Sequence, residues 1–278
     1  MMLTLALTLA ALLGADDTAA AAPEPVMACT GEHRQGGVLV CRTRPGARVL
    51  VDDVETQANA DGWVILGHDR DAPVETRVRV LAGGETLYDQ RYAVAPAEYQ
   101  IQRIEGLPPA MVTPPPETLE RIRRENVRKG QAHASRWSGD GFSAGFIMPL
   151  EGRITSPYGA QRFYNGEPRR PHYGIDIAGP VGAEVIAPAA GVVTLTDPDM
   201  YFEGGLIFVD HGQGFNSVFM HLSEILVEEG DVIEQGQVIG LVGATGRVTG
   251  PHLDWRIRWH GRNVDPFATL DLQPEGLR

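Results

Sequence analysis

Lysine is almost missing from this chain: Lys129 is the only one among 278 residues. With none after it, the C-terminal half can hold neither a phosphate-cradling Walker loop nor a lysine-linked prosthetic group. Positive charge is in deficit as a whole, with 24 Lys and Arg against 36 Asp and Glu and a net charge of −12. That balance argues against a nucleic-acid binder or a polybasic membrane-surface protein. Long apolar runs are also missing. Leu3 to Leu13, broken only by Thr4 and Thr8, is too short for a membrane span, which needs ~20 residues. Cysteine is limited to Cys29 and Cys41. What is abundant is glycine (33) and proline (20), together with 43% hydrophobic and 22% charged residues. This composition builds an ordinary core rich in turns and strands and excludes global disorder. The length suggests two domains at ~150 residues each.

The early apolar run is followed by small residues, Gly14, Ala15 and Ala19 to Ala22. Residues 1–22 therefore read as a secretory signal peptide, and the mature chain as periplasmic or secreted. The segment before the run has no Lys or Arg, and a plain N-terminal tail is the alternative. In an oxidising compartment Cys29 and Cys41, with Gly36-Gly37 between them, pair across a hairpin. Two free thiols or a lipidated Cys29 are the other options.

Residues 26–105 predict a small β-sandwich accessory domain. Val38–Val40, Val49–Val51 and Trp63–Leu66 are short apolar runs, Thr76–Leu81 alternates, and Asp61-Gly62 and Gly83-Gly84 mark turns. No chemical constellation stands out there, which suits a spacer or protein-binding module. Residues 106–145 predict a Pro-rich linker with one helix, on which Leu119, Ile122 and Val127 share a side while Arg123, Arg124, Glu125 and Arg128 form a solvated face. From 146 to 270 strands and turns return without a long helix. The fold class is all-β.

Chemistry concentrates in this last part. His172 and Asp176 stand four residues apart and would share one face of a strand. The run His252–Trp259 splits into His252, Asp254, Arg256 and Arg258 on one face and Leu253, Trp255, Ile257 and Trp259 on the other. His221 ends another strand, with Ser217 and Phe219 on its face. Such a set on three strands points to a divalent-metal site with spare acid/base groups; the plainer alternative is a set of structural strand-end histidines. His260 would sit ~26 Å along the strand from His252 at ~3.3 Å per residue, too far for the same ion. His33, His68 and His133 fall outside this region.

His172 with Asp176, His221 within Phe219–Ser223, and Gly246-xxx-Gly250-Pro-His252-Leu-Asp254 resemble the M23 family of zinc metallopeptidases, the lysostaphin/LytM-type peptidoglycan endopeptidases. Residues 154–159, 187–193 and 227–240 support the likeness, which covers roughly 146–270. Residues 26–105, the proline runs and the helix resemble, more loosely, the N-terminal part of exported proteobacterial members. The resemblance implies an antiparallel, hammerhead-like β peptidase domain in which His172 and Asp176 bind metal. His221 and His252 become the two active-site histidines that do not. The family's third ligand is a histidine, and here that position is Asp254. A family position corresponding to His211 is structural.

Asp is an acceptable zinc ligand, but one His and two Asp cancel a divalent charge formally. That lowers the ion's polarising power and moves preference from zinc toward harder ions such as manganese. A working but altered site and a lost site are both open. The implied activity is hydrolysis of peptidoglycan cross-link peptides, either D-Ala to diaminopimelate or glycine bridges, with Arg162 and Asn165 as substrate-binding candidates. The alternative is a catalytically degenerate regulator that binds another cell-wall hydrolase or a divisome protein through residues 26–105. Residues 229–240 also resemble a lipoyl-carrier hammerhead, but a carrier needs a lysine that this region lacks.

Overall fold

A computed structural model describes residues 25–105 and 114–277. The segment 1–22 expected to be a leader and Pro108-Pro109 lie outside the described residues.

The N-terminal part contains β1 (Met27–Gly31), β2 (Val38–Thr43), β3 (Arg48–Val51), β4 (Val54–Gln57), β5 (Trp63–Gly67), β6 (Glu75–Ala82) and β7 (Glu85–Ala93). They form two antiparallel sheets, ordered β1-β2-β5 and β4-β3-β6-β7. The alternation read in β6 is real: Thr76, Val78 and Val80 are buried and Glu75 and Arg77 exposed. Gly62 opens β5 at φ +84°, a conformation that side chains resist.

Cys29 and Cys41 stand directly opposite in the β1–β2 register and are joined by a disulfide. The bridge closes a loop of 12 residues in sequence, and chain entropy predicts that removing it costs about 2–3 kcal/mol. Chemical denaturation of a Cys29→Ser/Cys41→Ser variant beside the parent should show that loss as a lower midpoint.

Next come β8 (Ile101–Ile104) and helix α1 (Leu119–His133). The remaining strands are β9 (Ile154–Ser156), β10 (Gln161–Tyr164), β11 (Glu167–Pro168), β12 (Gly174–Ala178), β13 (Glu184–Ile186), β14 (Gly191–Met200), β15 (Gly204–Asp210), β16 (Phe215–Ile225), β17 (Val232–Ile233), β18 (Val238–Val242), β19 (His252–Trp259) and β20 (Arg262–Val264). The main ladder runs β17-β14-β15-β16-β19-β12-β9, with β13 and β18 branching from β16 and β20 folding back on β19. All its pairs are antiparallel. By contrast, β8 lies parallel to β10.

Helix α1 does not present the expected face. Val127 is 61% exposed and Leu119 39%, whereas Glu125 is buried. Polar contacts set the docking. Glu125 accepts from the Tyr201 backbone N–H at 3.1 Å and from Arg121 at 2.7 Å, and Lys129 donates to Glu203 at 2.5 Å. Arg128 pairs with Asp197, so the basic face is only partly solvated: Arg123 and Arg124 are exposed while Arg121, Arg128 and Lys129 hold the acids around β14 and β15.

One hydrophobic core runs through both sheet systems, from Val38, Ile65 and Val80 to Phe219, Trp255 and Trp259. The joint is tight at Gly67, where an added Cβ would meet the Trp259 Cβ at 2.9 Å. Gln213 seals the edge of β5, accepting from Ile65 N–H at 3.1 Å and donating to the Trp63 carbonyl at 2.9 Å.

Candidate metal centre

Strand β19 lays the floor of the site. Leu253, Trp255, Ile257 and Trp259 are fully buried in the core, which turns His252, Asp254 and Arg256 to the opposite face, as a two-residue period demands. β12 pairs beside it with Asp176 directly opposite Asp254. His172 differs from expectation, because β12 begins only at Gly174. It sits in the preceding segment, fixed by backbone bonds from its N–H to the Ala160 carbonyl (2.9 Å) and from Gly159 N–H to its own carbonyl (2.7 Å).

Three ligand atoms converge. His172 Nε2 lies 3.0 Å from Asp176 Oδ1 and 3.2 Å from Asp254 Oδ2, and donor atoms of all three residues fall within 4.8 Å of one another. Donors ~2.0–2.1 Å from a tetrahedral zinc are spaced about 3.3 Å apart, so the cluster is close to ligand spacing. His172 Nδ1 faces the Ser156 hydroxyl at 3.0 Å, which points Nε2 at the carboxylates; orienting bonds of this kind are characteristic of metal-ligating histidines. Asp176 Oδ1 is buried, and the group that faces it is His172 Nε2 at 3.0 Å. Two buried carboxylates facing one imidazole nitrogen leave acceptor capacity that a cation would satisfy. The residues present therefore fit a divalent ion.

Charge is concentrated here. Burial pushes His172 down, but Asp254, followed by Asp176, outweighs it and raises its pKa. Burial pushes the Asp254 carboxyl up, yet the Arg256 guanidinium and His172 hold it well below the usual carboxylate range. Arg162 reaches Asp176 Oδ2 at 3.2 Å and Ser156 at 3.0 Å. Gln102, carried alongside by β8, bonds Arg162 and Ser156, both at 3.3 Å.

His221 and His252 stand beside the cluster with ring centroids 4.9 Å apart. His252 Nε2 is 3.8 Å from Asp176 Oδ1. Each Nδ1 faces a backbone carbonyl, Thr245 at 3.0 Å for His221 and Gly250 at 2.8 Å for His252. A carbonyl only accepts, so Nδ1 carries the proton and a neutral ring keeps its lone pair at Nε2. Burial lowers the His221 pKa, which favours that neutral form. His221 does not end its strand. It interrupts β16 at φ +69°, where the β15–β16 register slips, and the irregularity re-aims its ring.

A profile of peptidase family M23 matches residues 170–266. Over 114 residues the chain is 40% identical to the peptidoglycan DD-endopeptidase ShyA of Vibrio cholerae, covering 41% of this chain and 26% of that protein. Over 123 residues it is 39% identical to the DD-carboxypeptidase/endopeptidase Mpg of Neisseria meningitidis, covering 44% of this chain and 28% of that protein. A crystal structure of an M23 peptidase from Pseudomonas aeruginosa superposes on 86% of this chain and 96% of its own, with a TM-score of 0.68 and 31% identity. This chain belongs to the M23 peptidase family. It spans about a quarter of the length of the curated relatives it matches.

Of the M23-type positions read from the sequence, the structure brings His172, Asp176, Asp254, His221 and His252 into one site. Arg162 joins it, against the Asp176 carboxylate. Asn165 occupies the exposed turn between β10 and β11 at φ +50°, outside the ligand cluster. His211 is buried, with Nδ1 2.8 Å from the Ala190 carbonyl and Nε2 2.8 Å from Ser217; burial pushes it down to about 4. Ser156, Thr245 and Gln102 carried no sequence signal of their own beyond Ser156 lying in a stretch that resembled the family. Arg256 was on the right face but had no role.

Proposed function

We propose that this chain is an exported metalloendopeptidase that hydrolyses the peptide cross-links of peptidoglycan. The observation that carries the reading is the convergence of His172, Asp176 and Asp254 beside two histidines with Nε2 available as base. A zinc or manganese ion held by those three groups would polarise the attacking water and the scissile carbonyl. One of His221 and His252 takes the proton from the water and delivers it to the leaving amine. The other, once it carries a second proton at Nε2, donates to the negative charge that develops on the carbonyl oxygen. Ser156 keeps His172 oriented, and Arg162 does the same for Asp176. The names of ShyA and Mpg support a D-Ala–diaminopimelate bond over a glycine bridge. The N-terminal strands serve as an accessory domain.

Elemental analysis of the purified protein tests the reading. About one zinc or manganese per chain, lost in His172→Ala together with cleavage of cross-linked murein, is the expected result. A second reading draws support from Arg256 and Arg162, whose guanidinium groups engage the two carboxylates. On that reading the chain is a degenerate regulator of another cell-wall hydrolase. A metal-free, inert parent would favour it.

A further inference from the structure

Asp254 is shared between two kinds of partner. Its Oδ2 faces His172 Nε2 at 3.2 Å. The same oxygen accepts from Arg256 Nη2 at 2.7 Å, while Oδ1 accepts from Arg256 Nε at 3.0 Å. One guanidinium therefore holds both oxygens, the two-pronged geometry that makes such pairs strong and directional. The Asp254 side chain is 3% exposed and that of Arg256 34%, so water screens the carboxylate end of the pair little.

Arg256 reaches back along its own strand because of what lies opposite. Gly174 pairs with Arg256 across β12 and β19. A Cβ at Gly174 would meet Arg256 Cγ at 2.5 Å and Asp254 Oδ1 at 2.7 Å. The glycine between His172 and Asp176 thus leaves the space in which the aspartate–arginine pair lies.

With His172 neutral, Asp176 and Asp254 together would cancel a divalent charge. Arg256 adds a positive charge in direct contact with one of them. We propose that Asp254 and Arg256 act as one charge-neutral ligand unit, and that Arg256 is a positioning residue that sets how tightly the site holds a divalent cation. The proposal rests on the metal-holding reading of the same site given above. Arg256 orients the carboxylate and offsets its charge. Removing the guanidinium returns a full negative charge to a buried ligand, and at this range and burial that outweighs the loss of orientation. Replacing Asp254 alone strands the guanidinium beside the cation.

The test is zinc affinity by chelator competition on the full chain. Arg256→Gln should bind zinc at least tenfold more tightly than the parent, and Arg256→Lys, which keeps the charge, should stay within about threefold. Asp254→His should bind at least tenfold more weakly than Asp254→His/Arg256→Gln, a comparison that stands even where Arg256→Gln fails to fold. Unchanged or weaker zinc binding in Arg256→Gln, or equal affinities for the last two variants, would overturn the proposal. A parent that takes up no zinc while Arg256→Gln binds it supports the arginine's role and overturns the metalloenzyme reading. If all variants stay metal-free, both fall.

Discussion

His221→Asn and His252→Ala should each slow hydrolysis of cross-linked murein by about 10²–10⁴-fold, the range that positioned acid/base groups supply, while metal content stays at the parent's level. The expectation follows from the backbone carbonyls of Thr245 and Gly250, which accept a hydrogen bond from the Nδ1–H of each ring and leave Nε2 for proton transfer. Asparagine suits position 221 because the backbone there has φ +69°, a conformation asparagine tolerates better than alanine. The choice separates lost chemistry from a strained strand. Soluble muropeptide release gives the rate, and elemental analysis gives the metal. Loss of metal from either variant would make that histidine a ligand and overturn its assigned role.

Trp259→Ala should destabilise the whole chain by about 3–5 kcal/mol, the usual cost of truncating a large buried aromatic. Trp259 is fully buried, the base of its side chain sits against Gly67, and Arg262 lies over its ring at 5.4 Å. Because the core passes through this joint without a break, tryptophan fluorescence and far-ultraviolet dichroism should report one shared unfolding transition in the parent. Two separated transitions in the parent would mean that the N-terminal strands fold independently of the joint.

How much could be read beforehand depended on range. The faces of β19 were legible because a two-residue alternation is local, and the buried members Leu253, Trp255, Ile257 and Trp259 match it. The ligand set followed from resemblance and from that face. Spacing alone puts His172 on a strand, but the strand starts at Gly174, where pairing with β19 begins, and spacing does not report that pairing. The break at His221 was invisible for a similar reason: it arises from a slip between β15 and β16. Apolar spacing points to the wrong face of α1, because a buried Glu125 accepting from the distant Tyr201 backbone N–H sets the docking. Arg256 went unassigned because its fold-back depends on Gly174 across the sheet.

The seal on β5 has a consequence for how the chain acquires its structure. Gln213 clasps Trp63 from 150 residues away, and Arg262 bonds the Gly67 carbonyl from 195. During synthesis the N-terminal strands therefore exist for most of the chain's length with an unfinished edge and an uncovered apolar patch. Closing so distant a contact is entropically slow, and an open strand edge invites pairing with other chains. The slowest event of refolding should be the arrival of β19 and β20 at β5, and aggregation should compete with it most strongly just before that step.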